Sequence, residues 1–341
     1  MRPRMLGAVL LLCASVAMGF ASLVIGTENI ELGTVVQEWR AGRPVADSPA
    51  LSVLFNQRLP RTLAALLGGA GLALAGGVFQ ALLRNPLATP YTLGIASAGA
   101  FGAWIAFILS DAGWFVSGVL GIPSVQVFAF LFAGADVLLV YMLAARKEHS
   151  SPAVLLLAGV TMGMLANSGI MLTRYLAAPD RLVAMDRWLM GGVDVLGYRP
   201  VWTLTLGVAP CALVLLAQAG KLDQFGFSGE LAAGRGVNIK WLQILTFSVG
   251  SLMTAIIVSV IGPVGFIGLI VPHAVRALTG PRHYLLLALS LVAGGGFLCF
   301  CDIIARKILP GETPIGIVTT LIGGPFFLYL LMRRKFTDWD A

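Results

Sequence analysis

A few charged side chains interrupt long apolar stretches of this sequence, and they are the first candidates for chemistry. Asp136 and Asp302 both lie inside such stretches, where an ionisable side chain is costly and is by default a functional candidate. Arg306 follows Asp302 by four residues, which is the spacing of an ion pair on one helix face. Asp302 can therefore simply pair with Arg306, whereas Asp136 has no evident partner in the sequence.

The cysteines and histidines give little support for metal binding. Cys299 and Cys301 stand two residues apart, and residues at that spacing point to opposite sides of a helix. Buried thiols usually behave as small apolar side chains. His273 has no second ligand at helical spacing, so we interpret it as a structural hydrogen-bonding residue at a helix break. We expect no metal on this chain.

No motif for nucleotide hydrolysis or for proteolysis is present in a convincing form. A phosphate-binding loop needs Gly-rich backbone followed by Gly-Lys-Ser/Thr, and Lys221, which follows a glycine, precedes Leu222. Ser97 together with His273 distantly resembles an intramembrane serine protease, but the serine lacks the glycines needed directly beside it. No His-Glu-x-x-His motif offers a zinc alternative. We therefore expect no catalytic residue.

The composition of the chain predicts that these charged, thiol and histidine side chains are positioned by membrane helices. Of the 341 residues, 58% are hydrophobic and 11% are charged, whereas a soluble domain carries about 25% charged residues. The 41 glycines are typical of closely packed membrane helices. The 23 Lys and Arg residues are spread along the chain, so nucleic-acid binding is not expected. The sequence predicts an all-α polytopic membrane protein with a single domain over residues 1–341.

Ten apolar stretches are the predicted membrane helices. They cover residues 5–25, 58–83, 91–110, 119–145, 153–174, 200–218, 241–262, 265–275, 284–305 and 316–332. The first resembles a signal peptide, but its length favours a retained helix. A crossing takes roughly 20 apolar residues, so the stretch 265–275, after Gly262-Pro263, is too short to cross alone. Such a segment must lie against protein or a cavity, and segments of this kind often mark a transport pathway.

The loops between the stretches predict the orientation. If the N-terminus is cytoplasmic, the inside segments carry more Lys and Arg than the outside ones, which is the usual bias. Both termini are then inside. The long inside connection, residues 219–240, is predicted to form two short helices, with Ser228 capping the second and with Phe225, Phe227 and Leu231 exposed. It suits the docking of a partner, and a solvated amphipathic loop is the alternative.

Motifs along residues 5–335 resemble one known family. The first half contributes Arg58-Leu59-Pro60-Arg61, Gln80, Asn85 and Pro86; the second half contributes Gly262, Pro263, Gly265, Phe266, Gly268, Pro272, His273 and the stretch Asp302–Arg306. In order and spacing these motifs resemble the FecCD-type permeases, the transmembrane subunits of bacterial ABC importers for ferric siderophores, haem and cobalamin. The resemblance implies a fold like that of a cobalamin-importer permease, with ten transmembrane helices and a pair of cytoplasmic coupling helices.

The resemblance also implies three functional sites. The segment that couples the permease to an ATPase would comprise Gly229, Glu230, Leu231, Ala232, Ala233, Gly234, Arg235 and Gly236. Arg58, Arg61 and Arg306 would receive acidic residues of a binding protein, unless they only extend to the membrane interface. Ser150 and Ser151 would form a cytoplasmic gate, although they can equally cap the helix that follows.

By this resemblance the chain is expected to be a permease subunit in the bacterial inner membrane. Its expected partners are a second permease copy (identical or paralogous), two ATPase subunits that bind ATP and Mg²⁺, a periplasmic or lipid-anchored binding protein, and the lipid bilayer. No cofactor is expected on this chain. The expected cargo is a ferric siderophore, with cobalamin and haem as alternatives, because the motifs serve coupling and docking rather than ligand choice. A secondary transporter using Asp136 and an intramembrane protease are the alternatives from other classes.

Overall fold

The regular structure of this protein is helical. The computed structural model describes residues 2–26, 31–111, 122–145, 152–177, 179–227, 229–308 and 312–333. In chain order the helices are α1 (Arg2–Val24), α2 (Leu32–Arg40), α3 (Pro49–Ser52), α4 (Leu59–Leu82), α5 (Ile95–Asp111), α6 (Ser124–Ala145), α7 (Pro152–Leu176), α8 (Pro179–Leu189), α9 (Arg199–Ala217), α10 (Ala219–Phe227), α11 (Gly229–Gly234), α12 (Ile239–Ile261), α13 (Ile267–Thr279), α14 (His283–Ile303) and α15 (Ile315–Arg333). Two π-helical segments, Val53–Arg58 and Ile304–Ile308, continue into α4 and out of α14.

Seven of the described helical segments are long and apolar enough to cross a membrane. They are Leu6–Val24, Pro49–Leu82, Ser124–Leu143, Ala153–Leu176, Arg199–Ala217, Ile239–Ile261 and His283–Ile308. Three shorter apolar helices, Ile95–Ser110, Ile267–Thr279 and Ile315–Leu330, occupy the remaining predicted stretches. The chain is therefore an all-helical integral membrane protein. The second segment begins earlier than predicted, because α3 and the π-helical segment extend α4 toward Pro49.

Helix α4 lies at the centre of the bundle, where α14, α12, α13 and α9 pack around it. Its contact with α14 brings two backbones together: a Cβ on Gly294 would stand 2.3 Å from the Gly69 carbonyl oxygen, and a Cβ on Gly69 would stand 2.2 Å from that of Gly294. Small residues allow such close approach of membrane helices. The glycines of α4 are therefore packing positions.

A break after α12 is followed by a half-length helix, α13. Gly262 and Phe266 both have positive φ angles, 71° and 67°, and α13 then has 13 residues. That corresponds to about 20 Å, less than the roughly 30 Å of a hydrocarbon core, as the sequence predicts for this region. Gln80 of α4 donates from Nε2 to the Gly268 carbonyl oxygen at 3.0 Å, so protein contacts the backbone at the start of α13.

Two short helices, α2 and α8, have no counterpart among the predicted apolar stretches, because both are too polar. α8 carries Asp180, Arg181, Asp186 and Arg187 in only 11 residues. The bundle has two ends, called the arginine end and the short-helix end. The arginine end contains the C-terminus of α1, the N-terminus of α4 and residues after α14; the short-helix end contains α10, α11 and the N-terminus of α14.

Candidate functional site

Arg58 and Arg306 hold the C-terminal end of α1 in place. Arg58 is buried and donates from Nη1 to the carbonyl oxygens of Leu23 and Val24, at 3.2 and 2.5 Å. Arg306, also buried, donates from Nη2 to the Ser22 carbonyl oxygen at 3.2 Å and to Ser22 Oγ at 2.9 Å. Carbonyls in the last turn of a helix have no partner within the helix, and these two guanidinium groups supply one.

Arg61 makes ion pairs with two carboxylates in different environments. Asp302 is fully buried, and its Oδ1 accepts from Arg61 Nε and Nη2, both at 3.0 Å. Asp194 has a side chain that is 48% exposed, and its Oδ1 lies 3.2 Å from Arg61 Nη1. Asp302 also pairs with Arg306 at 2.7 Å across one helical turn, as the sequence spacing predicts. Asp302 thus joins two of the three predicted docking arginines.

These groups line a pocket of about 460 Å³ at the arginine end, called here the arginine pocket. Its charged lining residues are Arg58, Arg61, Arg187, Arg306, Asp194 and Glu312. Arg187 Nη2 lies 3.5 Å from Asp194 Oδ2 and 3.9 Å from Glu312 Oε2. The lining has four arginines and two carboxylates, and this excess of positive charge makes the pocket suited to bind carboxylates.

The structure brings together in one pocket the three arginines that the sequence singles out. It also places Arg187 and Asp194 there, which the sequence analysis does not identify. Both lie in or just after α8, a helix too polar to be found by hydropathy. The available signal is an aspartate, Asp194, two residues after Gly191-Gly192 in an otherwise apolar loop. Arg58 and Arg306 are directed toward α1, whereas Arg61 has one half-exposed partner. Arg61 is therefore the best placed of the three to exchange partners.

The short-helix end contains two helices where the sequence predicts a pair. α11 spans Gly229–Gly234, Ala232 is buried in the chain, and Ala233, Gly234, Arg235 and Gly236 are exposed. Ser228 and the side chains of Phe227, Gly229, Glu230 and Leu231 lie outside the described residues. The expectation that Phe225 is exposed is wrong: its side chain is 4% exposed.

Phe225 packs in the apolar core, and Arg84 lies over its ring. The Arg84 guanidinium lies 4.5 Å from the centre of the Phe225 ring, and its Nη2 donates to the Phe225 carbonyl oxygen at 2.8 Å. Asp223 on the same helix accepts from the backbone and Nδ1 of His283, at 2.8 and 2.7 Å. His283 is the first residue of α14. Helix α10 is thus anchored to the ends of α4 and α14.

The remaining motif residues lie at breaks between helices. Asn85 Oδ1 accepts from the Leu87 backbone at 2.9 Å, which closes the turn that contains Pro86. Pro272 is buried inside α13, and His273 beside it is partly buried. Gly262, Pro263, Gly265 and Phe266 form the break, and an apolar pocket of about 540 Å³ lies between this break, residues 87–92 and α15. These contacts explain the motif as a set of packing and turn positions.

Other predicted candidates are not brought into a site. Ser150 and Ser151, the predicted gate, lie outside the described residues. Asp136 is 2% exposed, and neither carboxylate oxygen has a hydrogen-bond partner among the residues that the structure covers. Cys211, Cys299 and Cys301 are buried free thiols, and Cys13 is an exposed one. Within the described ranges, no three metal-ligating side chains come together.

Comparison with known proteins gives a consistent result. Residues 11–333 match the model of the FecCD transport family. The chain is 34% identical over 331 residues to the vitamin B12 import system permease of Shigella boydii, which covers 95% of each chain. It is 30% identical over 336 residues to the hemin transport system permease of Yersinia pestis, which covers 98% of this chain and 97% of the relative.

Solved structures agree with the sequence comparison. A metal-chelate type ABC transporter in an inward-facing conformation superposes with a TM-score of 0.81 and 28% identity, covering 97% of this chain and all of that chain. Because the family match covers nearly the whole length, and the relatives are ABC import permeases of matching size, the chain belongs to the FecCD transport family of ABC transporter permeases.

Proposed function

We propose that this permease carries a ferric siderophore across the bacterial inner membrane into the cytoplasm. The observation that supports an importer is the arrangement, in a FecCD-family bundle, of an arginine pocket at one end and exposed short-helix residues at the other; the ferric siderophore is proposed from the family resemblance. Haem and cobalamin are the alternative cargoes, because relatives named for hemin and vitamin B12 transport are similar over almost the same length.

In this proposal the arginine end faces outside and the short-helix end faces the cytoplasm, with both termini inside. Ten membrane segments then come from the seven long helical segments and the three shorter apolar helices. Residues 229–236 contact a separate ATPase subunit that binds ATP and Mg²⁺. The exposed residues Ala233–Gly236 support this assignment, because they leave a surface on which a partner can sit.

The proposed complex contains two permease copies, two ATPase subunits and a periplasmic or lipid-anchored binding protein. Along α7, Leu157, Met164, Met171 and Tyr175 are all more than 60% exposed, which is consistent with a helix that faces lipid or a second copy. Ser150 and Ser151 are proposed to form the cytoplasmic gate by the family resemblance alone. Arg61, with Arg58 and Arg306 behind it, is proposed to receive a carboxylate of the binding protein.

The docking proposal is tested with full-length permease in nanodiscs and the loaded binding protein of the same importer. We expect Arg61→Gln to weaken binding by about fivefold per permease copy at low salt, because an exposed ion pair is worth about 1 kcal/mol or less. Arg61→Glu should weaken it further, and the loss should shrink at high salt. Arg43→Gln, which removes an exposed arginine paired with Glu38, controls for the loss of one surface charge, and the unfolding temperature of each Arg61 variant is measured alongside, because Arg61 is also the partner of the buried Asp302. Unchanged affinity for Arg61→Glu at low salt would contradict docking at Arg61.

The cargo proposal is tested by titrating the binding protein with a ferric siderophore, haem and cobalamin. Uptake by cells that carry the complete importer is then measured with the same three ligands. We expect tight binding and uptake of the ferric siderophore. Uptake of cobalamin or haem alone would reject the cargo while leaving the importer assignment intact.

A further inference from the structure

We propose that Asp194 is an internal substitute for the binding protein's carboxylate, occupying Arg61 until that protein docks and then moving to Arg187. This inference rests on the proposed docking function at the arginine pocket and extends it by naming a residue that competes with the partner. It assigns to Asp194 the control of docking affinity.

The geometry divides the Arg61 guanidinium into a fixed edge and an exchangeable edge. Nε and Nη2 both face Oδ1 of Asp302 at 3.0 Å, and Asp302 is fully buried. Nη1 faces Asp194 at 3.2 Å, and Asp194 is about half exposed. Losing a buried partner is costly, whereas an exposed pair contributes little. Asp302 therefore keeps Arg61 oriented while the contact with Asp194 opens.

Arg187 is an alternative ion-pair partner for Asp194. Its Nη2 already lies 3.5 Å from the second oxygen of Asp194, and both side chains are about half exposed. When a carboxylate of the binding protein pairs with Nη1 of Arg61, Asp194 remains paired with Arg187. The exchange of partners at Arg61 therefore leaves no charge unpaired. Glu312, which also lies near Arg187 at 3.9 Å, is too distant to hold it strongly. The pocket can thus accept an acidic side chain without breaking its buried part.

Removing the charge of Asp194 changes the docking affinity in opposite directions for the two roles that this residue could have, competitor of the binding protein or positioning residue for Arg61. Asp194→Asn keeps the size of the side chain and removes its charge. If Asp194 competes, this variant should bind the loaded binding protein about two- to fivefold more tightly per permease copy at low salt, in line with the strength of one exposed pair. If Asp194 instead positions Arg61, the same variant should bind more weakly.

The experiment measures binding of the importer's own loaded binding protein to nanodisc-held full-length permease at low and high salt. Asp186→Asn is the matched control, because it also removes an acid of a partly exposed ion pair on α8, with Arg174. We expect tighter binding for Asp194→Asn, no change for Asp186→Asn, and no effect of Asp194→Asn when Arg61→Gln is already present.

The outcomes separate this inference from the docking proposal. If Arg61→Gln weakens binding without lowering the unfolding temperature of the permease, and Asp194→Asn leaves binding unchanged or weaker, Asp194 is no competitor and docking at Arg61 stands. If Asp186→Asn raises the affinity for the binding protein as much as Asp194→Asn does, the effect comes from the net charge of the permease. That result would overturn the inference. If Arg61→Gln and Asp194→Asn both leave binding unchanged, docking at Arg61 and the inference fail together.

Discussion

At the scale of single residues, Asp302 connects the parts of the arginine pocket. It pairs with Arg306 on its own helix and with Arg61, which lies 241 positions away in the sequence. The four-residue spacing predicts the first pair, because it depends only on helix geometry. The second pair could not be predicted, since it depends on how α4 packs against α14. Asp136 shows the opposite case: it was singled out for its position, and its carboxylate has no hydrogen-bond partner in the part of the chain that is described.

Asp302→Asn tests this connecting role. Removing its charge leaves the guanidinium groups of Arg61 and Arg306 close together without their buried counter-ion. We expect a loss of about 3–5 kcal/mol in stability, measured as thermal unfolding of the purified permease in detergent. Asp186→Asn, at a partly exposed pair, should cost about 1 kcal/mol or less. Equal stability of the two variants would show that the buried network does not hold the bundle together.

At the scale of elements, hydropathy found the apolar stretches but missed the helices that shape the arginine pocket. The broken segment was predicted because Gly262-Pro263 interrupts an apolar run, and the structure contains it as α13. α2 and α8 were missed because their charges hide them from a hydropathy window. The sequence predicts an exposed Phe225, because nothing in the local sequence reveals that it packs in the apolar core with Arg84 over its ring.

The contact between α4 and α14 gives a prediction about packing. Gly294→Val would place side-chain atoms against the Gly69 carbonyl oxygen, 2.3 Å from an added Cβ. We expect the two helices to separate at a cost of at least 1–3 kcal/mol, the usual range for overpacking, seen as a lower unfolding temperature. Gly134→Val, in α6, is the control, because an added Cβ there meets nothing within 4 Å. A stable Gly294→Val protein would contradict the close backbone contact.

The second element prediction concerns α11 and energy coupling. An added Cβ at Gly234 meets nothing within 4 Å of this chain, so Gly234→Trp should fold and insert normally. If residues 229–236 contact the ATPase, the bulky side chain should separate ATP hydrolysis from transport in reconstituted importers. Gly33→Trp, also at an open glycine but on α2, should keep the ATPase coupled. Wild-type coupling in Gly234→Trp would remove this segment from the interface.

At the scale of the whole molecule, composition alone predicts a membrane bundle, and the family match supports a permease of an ABC importer. The sequence could not predict that Arg58 and Arg306 turn inward to the end of α1, because their partners are backbone carbonyls brought close by the fold. That observation concentrates the docking proposal on Arg61. We propose a bundle whose arginine end faces outside and binds acidic side chains, and whose short-helix end faces inside and binds the ATPase.

The most direct test of this account is uptake in proteoliposomes containing the permease, its ATPase and the loaded binding protein. We expect a ferric siderophore to accumulate only when ATP is hydrolysed and the binding protein is present, and we expect that a proton or sodium gradient cannot replace ATP. Uptake driven by an ion gradient in the absence of the ATPase would contradict it.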